Sequence, residues 1–249
     1  MLTKKYEYVH YDRETKKSGR SYLVGDKKLP SVTTILNASK DTSWLKKWQE
    51  KVGIEEAERI KNEASLIGSE MHKYLEYYVQ DKRYESTSNE GQQARKMALE
   101  IVKRGFEPIT EIWGTEVSLH HTDKYAGATD LVCLYKGRPV IVDFKQTNKP
   151  CQEHYSKVQD YYTQLAAYGE AHTSQYGPIE GGVILMCSRD LVFQSFEIFD
   201  DKYERYKEDW WKKYDHFIAT SEQPPQESEQ KDETSSSENE QSSHQQSPQ

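Results

Sequence analysis

The 249-residue chain has only three cysteines, Cys133, Cys151 and Cys187. At these spacings they form neither a disulfide framework nor a four-ligand zinc site, and they suit a reducing compartment. No run of about 18 apolar residues occurs, so no spanning helix is expected. The opening MLTKKYEYVHYDRETKK lacks the apolar centre of a signal peptide and is too acidic for a transit peptide. These absences point to a soluble intracellular protein. No internal repeat is found.

Apolar side chains are also scarce. They make up 35% of the chain, and the mean hydropathy is −0.98. Residues 221–249 contain none, with seven acids against one lysine. Such a stretch cannot bury enough surface to offset its ordering entropy, so a disordered acidic tail is expected. It carries −6 of the net charge of −7, and the remaining body is close to neutral. Residues 1–51 hold twelve Lys/Arg and six Asp/Glu, a net of +6. The acidic total is therefore no argument against a nucleic-acid partner.

The ordered elements follow from periodicity. YEYVHYD and GRSYLV resemble a hairpin joined through RETKKS. Ser31 starts a helix in LPSVTTIL, and SWLKKW continues helical. Residues 54 to about 80 form a long helix with Ile60, Ala64, Ile67, Met71, Tyr74 and Tyr78 on one face. A further helix spans about 91–104 and stops at Gly105. EIWGTEVSL, GATDLVCLY and RPVIVDFK then read as three strands. A helix over about 156–175 follows, then the strands GGVILMCS and LVFQSFEIF and a last helix over about 201–219. The order implies an α/β layered domain with a mixed sheet of about five strands. The expected division is an annex of hairpin and helices over 1–53, a core over 54–220 and the tail over 221–249.

Chemistry concentrates at the ends of two of those strands. Asp130 and Asp143 lie in runs joined by a short turn, so their carboxylates can converge. Hard divalent cations prefer oxygen ligands, and Mg²⁺ commonly takes one or two carboxylates. Lys145 shares the strand face of Asp143 and can position an attacking water or neutralise charge on phosphorus. Two turn-region aspartates beside a surface lysine would look the same. His72 and Glu76 lie one helical turn apart, with Gly68 one turn before them to admit a close approach. A histidine can complete a metal shell of two carboxylates, although a lone helical histidine is usually a surface residue. Gln164 and Tyr168 share a face of the later helix and can bond a carboxylate, a phosphate or a base.

Gly68/His72/Glu76, Gly127/Asp130, Asp143/Lys145 and Gln164/Tyr168, in that order on helix, strand, strand and helix, resemble the RecB-like branch of the PD-(D/E)XK nuclease superfamily. LPSVTTIL before LKKW, and DFKQTNKP around Asp143 and Lys145, are similar to the mitochondrial genome maintenance exonucleases and their phage-encoded relatives. The resemblance covers roughly residues 29–199. Thr129 stands where the superfamily name has proline.

The resemblance implies a restriction-endonuclease-like core: a three-strand meander, a helix and two further strands. It implies Mg²⁺, with Mn²⁺ able to substitute, held by His72, Asp130, Asp143 and the Phe144 carbonyl. Lys145 would be the catalytic lysine, Gln164 and Tyr168 would orient the site or the DNA, and Glu76 would support the ligands. Lys149 is placed to meet a phosphate. Three cysteines away from the expected positions imply no iron–sulfur cluster. The expected activity is exonucleolytic cleavage of DNA from single-stranded or frayed ends in replication, recombination or degradation. The expected location is the cytoplasm, that of the host if the gene is phage-borne, with no membrane partner. The 18 tyrosines offer stacking surfaces for unpaired bases. A structure-selective endonuclease or flap nuclease on the same core is the alternative enzyme. A non-catalytic DNA-binding module would ordinarily lack one of Asp130, Asp143 and Lys145. A scaffolding protein would explain the tail and none of the motif order.

Overall fold

A computed structural model describes residues 2–221. The expected acidic tail lies outside the described residues except for Ser221, which ends the last helix. The chain is an α/β protein built on a mixed five-stranded sheet of order β4-β5-β6-β7-β8. These strands are β4 (Ile109–His121), β5 (Tyr125–Tyr135), β6 (Arg138–Thr147), β7 (Gly181–Ser188) and β8 (Phe193–Phe199). The first three form an antiparallel meander. β6 and β7 run parallel, which requires a crossover, and α5 (Ser156–Gln175) supplies it.

Two apolar clusters cover the sheet. One face packs α3 (Ile54–Val79) and α4 (Asn89–Gly105) through Ile67, Met71, Leu75, Met97 and Ile101 onto Leu131, Val142 and Leu185. The other packs α1 (Val32–Ala38), α5 and α6 (Asp200–Ser221) through Ile35, Tyr162, Leu165, Tyr203 and Trp210 onto Leu119, Val132 and Ile141. α2 (Ser43–Val52) buries no residue. Ser31 caps α1 as expected, its hydroxyl accepting from the Thr34 amide at 3.0 Å.

The annex departs from its sequence pattern. A small sheet of order β1-β2-β3 is made by β1 (Asp12–Lys16), β2 (Gly19–Val24) and β3 (Lys27–Pro30). The first hairpin strand is thus DRETK, not YEYVHYD. Aromatic alternation in YEYVHYD marks a different partner: Tyr6 lies edge-on to Trp113, and Tyr8 bonds the buried His172. This segment straps β4 to the end of α5. The buried stripe of α3 runs to its last residue through Leu75 and Val79, and Tyr78, expected on that face, is exposed.

Candidate active site

The site is a fork between β5 and β6. Their antiparallel register pairs Tyr135 with Arg138 and runs to Leu131 opposite Val142, where it stops. One step further, Asp130 and Asp143 face each other with no backbone pairing between them. Side chains take over the lost ladder bonds. The Phe144 amide donates to Asp130 Oδ2 at 2.6 Å, and the Thr129 hydroxyl donates to the Val142 carbonyl at 3.3 Å. Amide and carbonyl of one extended residue point to the same side, so the Phe144 carbonyl faces the fork too.

α3 closes the fork from one side. His72 is half-buried, and its Nδ1 lies 3.0 Å from Asp130 Oδ1. Burial disfavours the imidazolium, but Asp130 more than restores it and raises the pKa to about 9. Burial also opposes charge on Asp130. The imidazole, then Lys145 and the Phe144 amide, outweigh it and hold that carboxyl below its ordinary range. At Asp143 burial prevails over the neighbouring Lys145, and the pKa is raised. The Lys145 ammonium lies against Asp143 Oδ2 and 4.7 Å above the Tyr161 ring. That oxygen is fully buried, yet no donor meets it with hydrogen-bond geometry.

Glu116 joins the cluster unannounced by the motifs. It stands on β4 opposite Asp130, between the pairs Thr115–Leu131 and Val117–Thr129. Its backbone is left-handed, φ 50°, within a strand. The residue is exposed, but its carboxyl turns inward: ligand atoms of His72, Glu116 and Asp130 all lie within 4.8 Å of one another. Desolvation of that end and the charge of Asp130 raise its pKa to about 7.

The remaining predicted residues are dispersed around this centre. Gln164 donates to the Tyr168 hydroxyl at 3.2 Å, and both lie on the α5 face that meets β5. Gly127 is required there. A Cβ on it would stand 2.5 Å from Tyr168 Cε1, so the ring packs directly on the strand backbone. Glu76 accepts from Gln80 rather than from His72, although its charge reaches Glu116. Lys149 is exposed in the loop after β6. Gly68 does not admit an unusually close neighbour, since a Cβ there would meet only Gln146 Cγ at 3.6 Å, an ordinary contact.

The imidazole of His72 and the carboxylates of Glu116 and Asp130, with the Asp143 carboxylate and the Phe144 carbonyl at the same fork, form a donor set suited to a hard divalent cation. Over 173 residues the chain is 25% identical to Mus musculus mitochondrial genome maintenance exonuclease 1. The chain is related to a nuclease. The match takes in 65% of this chain, which spans about half, 50%, of the relative's length. A solved Eubacterium rectale structure, whose exonuclease designation is provisional, aligns with a TM-score of 0.45 and 12% identity. It covers 64% of this chain and 65% of that one, and a likeness at this level carries no weight beside the strand order above. No protein-family model matches the chain. Among the described residues no helix is long and apolar enough to cross a membrane.

Proposed function

We propose that the chain is a metal-dependent deoxyribonuclease that removes nucleotides from the ends of single-stranded or frayed DNA. The observation that carries this reading is the fork: two facing aspartates and a lysine occupy the point where β5 and β6 part. Relationship to an exonuclease agrees with it. The core over 54–220, with the annex over 1–53, is the proposed working unit. The three free cysteines suit a cytoplasmic setting.

His72, Asp130, Asp143 and the Phe144 carbonyl would hold Mg²⁺ or Mn²⁺, with Glu116 added to the set. When bound, such a cation polarises a phosphodiester and makes water more acidic. The chain's own groups do the rest. Lys145, held between Asp143 and the Tyr161 ring, can hold the attacking water and offset the charge that builds on the phosphoryl oxygens. Water oxygen bonds to phosphorus and gives up one proton to solvent as the bond to the leaving deoxyribose oxygen breaks, and that oxygen takes up a proton from solvent. Tyr168 and Gln164 brace α5 against β5 and so fix the far wall of the fork. Lys149 offers a cation to a neighbouring phosphate.

Digestion of end-labelled linear single strands, linear duplexes and closed circles, with Mg²⁺ or with excess EDTA, tests this. Linear single strands should be shortened, closed circles spared and EDTA should stop cleavage. Rapid nicking of circles would move the assignment to an endonuclease. Binding without cleavage in any metal would make the chain a DNA-binding module.

A further inference from the structure

The annex does more than cover β5. In the β1–β2 hairpin Arg13 pairs with Tyr22, and Arg20 lies two residues before Tyr22 on the same strand. The two-residue period of a strand puts both arginines and the tyrosine on one face. Tyr22 and Leu29 bury that face against Ala126 of β5. Ala126 precedes Asp130 by four residues on β5, so the tyrosine sits roughly 13 Å along the strand from the fork. Closer links exist as well. The charge of Arg13 reaches the Glu116 carboxyl, and the Tyr22 phenol bears on that of Tyr168.

Arg20 is anchored with unusual completeness. Its amide donates to the Thr34 hydroxyl at 2.8 Å, that hydroxyl donates back to the Arg20 carbonyl at 2.8 Å, and the Ser31 amide reaches the same carbonyl at 2.9 Å. Gly19 permits this approach: its φ is 131°, and a Cβ would lie 2.6 Å from Thr34 Cγ2. The PSVTT segment thus fixes the backbone of one arginine against the start of α1.

Both side chains remain reachable, Arg13 exposed and Arg20 half-buried. Neither forms an ion pair with a carboxylate among the described residues. The two acids that flank Arg13 on β1, Asp12 and Glu14, alternate with it and so lie on the opposite face, and Glu14 is taken by Lys16 and Lys28. Two guanidinium groups beside a phenol hydroxyl match the oxygens of a phosphate, which accept paired N–H donors. The need is also physical. Glu116, Asp130 and Asp143 repel a polyanion, so a strand must be drawn in by cations beside them.

We propose that Arg13 and Arg20, flanking Tyr22, hold a phosphate of the substrate strand and align that strand on the β5–β6 fork. They are positioning residues, and the proposal rests on the nuclease reading for its substrate. The phosphate is either a terminal one or one within the strand, and the test distinguishes these.

Affinity for a labelled single-stranded oligonucleotide is measured by fluorescence anisotropy across a salt series, in full-length Asp143→Asn protein so that DNA is not consumed. Adding Arg13→Ala and Arg20→Ala together should weaken binding about tenfold, the worth of a charge-assisted bond, and reduce the salt slope by about 1. Arg13→Lys with Arg20→Lys should keep the slope and regain part of the affinity. With Asp143 restored, the double alanine variant should show a raised KM and a nearly unchanged kcat, with an unaltered melting temperature. Oligonucleotides with 5′-phosphate, 5′-hydroxyl or 3′-phosphate ends locate the group. An arginine effect confined to one phosphorylated end means a terminal phosphate, and an equal effect on all three means an internal one. Wild-type affinity and salt slope in the double alanine variant would overturn the proposal even if cleavage is robust. Weakened binding in a protein that never cleaves would leave the phosphate site standing and remove the nuclease reading instead.

Discussion

β5 and β6 are one pair of strands with two characters. From Leu131 to Tyr135 against Arg138 to Val142 they are laddered, and Leu131, Val132, Cys133, Ile141 and Val142 are wholly buried. Beyond that point the same strands separate, and the positions that would pair next are Asp130 and Asp143. The paired half keeps its polar groups in backbone bonds and buries apolar surface. The parted half leaves backbone groups to side chains and collects charge. The pair shows how a stable sheet can host buried carboxylates: the burial cost falls on the few residues past the end of the ladder, while neighbours on both sides hold them rigid.

The comparison is broken most severely from the parted half. Asp143→Asn removes the charge proposed to hold the cation and the partner of Lys145, and cleavage should fall by about a thousandfold or more while DNA affinity is largely retained. Single-turnover rates beside binding curves check this. Lys145→Ala should lower turnover by roughly 3 kcal/mol of barrier, with little change in melting temperature.

The paired half answers in the opposite currency of measurement. Leu131→Ala leaves a cavity in the α3–α4 cluster and should cost about 2–5 kcal/mol of stability in denaturant titrations, with folded protein still active. Loss of activity without loss of stability would deny the division.

A comparison of stability against pH with and without His172 sharpens it from the scaffold side, because the site carboxyls Glu116 and Asp143 are common to both proteins. His172 is buried at the end of α5, where its Nδ1–H donates to the Gly177 carbonyl at 2.8 Å and its Nε2 accepts from the Tyr8 hydroxyl at 3.0 Å. Burial lowers its pKa to about 4. The unfolded chain therefore binds the extra proton first, near its ordinary value of about 6.5. This contribution to stability is complete above that pH, declines as pH falls through the window and is spent below about 4, to a total of roughly 3 kcal/mol. His172→Gln should flatten that part of the stability profile.

The smallest expected effect lies at the border of the two halves. Gly127→Ala presses a methyl group on the Tyr168 ring and should cost about 1–2 kcal/mol. Activity should drop several-fold because the ring braces the fork. An unchanged rate would make the Gln164–Tyr168 pair a packing feature only.

Most of the scaffold is legible in the sequence because it obeys simple periods. α5 begins and ends at the expected residues, and the five strands of the large sheet occupy their apolar runs. Asp130 and Asp143 are legible as a facing pair because a short turn fixes their register. Three features are not. YEYVHYD alternates like a strand, but its alternate aromatics seek Trp113, His172 and Tyr176 instead of a hairpin partner. DRETK forms the strand although every residue is exposed, because the turn at Gly19 and pairing with β2 decide it. Glu116 sits in a run that reads as ordinary alternation, and its φ of 50° has no signature in the letters. A signal did exist: extending the β4–β5 hairpin register from His121 and Tyr125 sets Glu116 opposite Asp130.

The bond from the Phe144 amide to Asp130 has one more consequence. Along most of a strand, an amide proton exchanges with solvent only when the ladder opens, so its protection reports the stability of the sheet. At Phe144 the acceptor is a side chain. Its protection therefore reports the state of Asp130. In Asp130→Ala this one amide should exchange early while its neighbours deeper in the pair stay slow. A ligand that engages the carboxylate should alter the same signal without altering theirs. The strand thus carries a reporter, native to the chain, that reads the occupancy of the fork independently of any turnover.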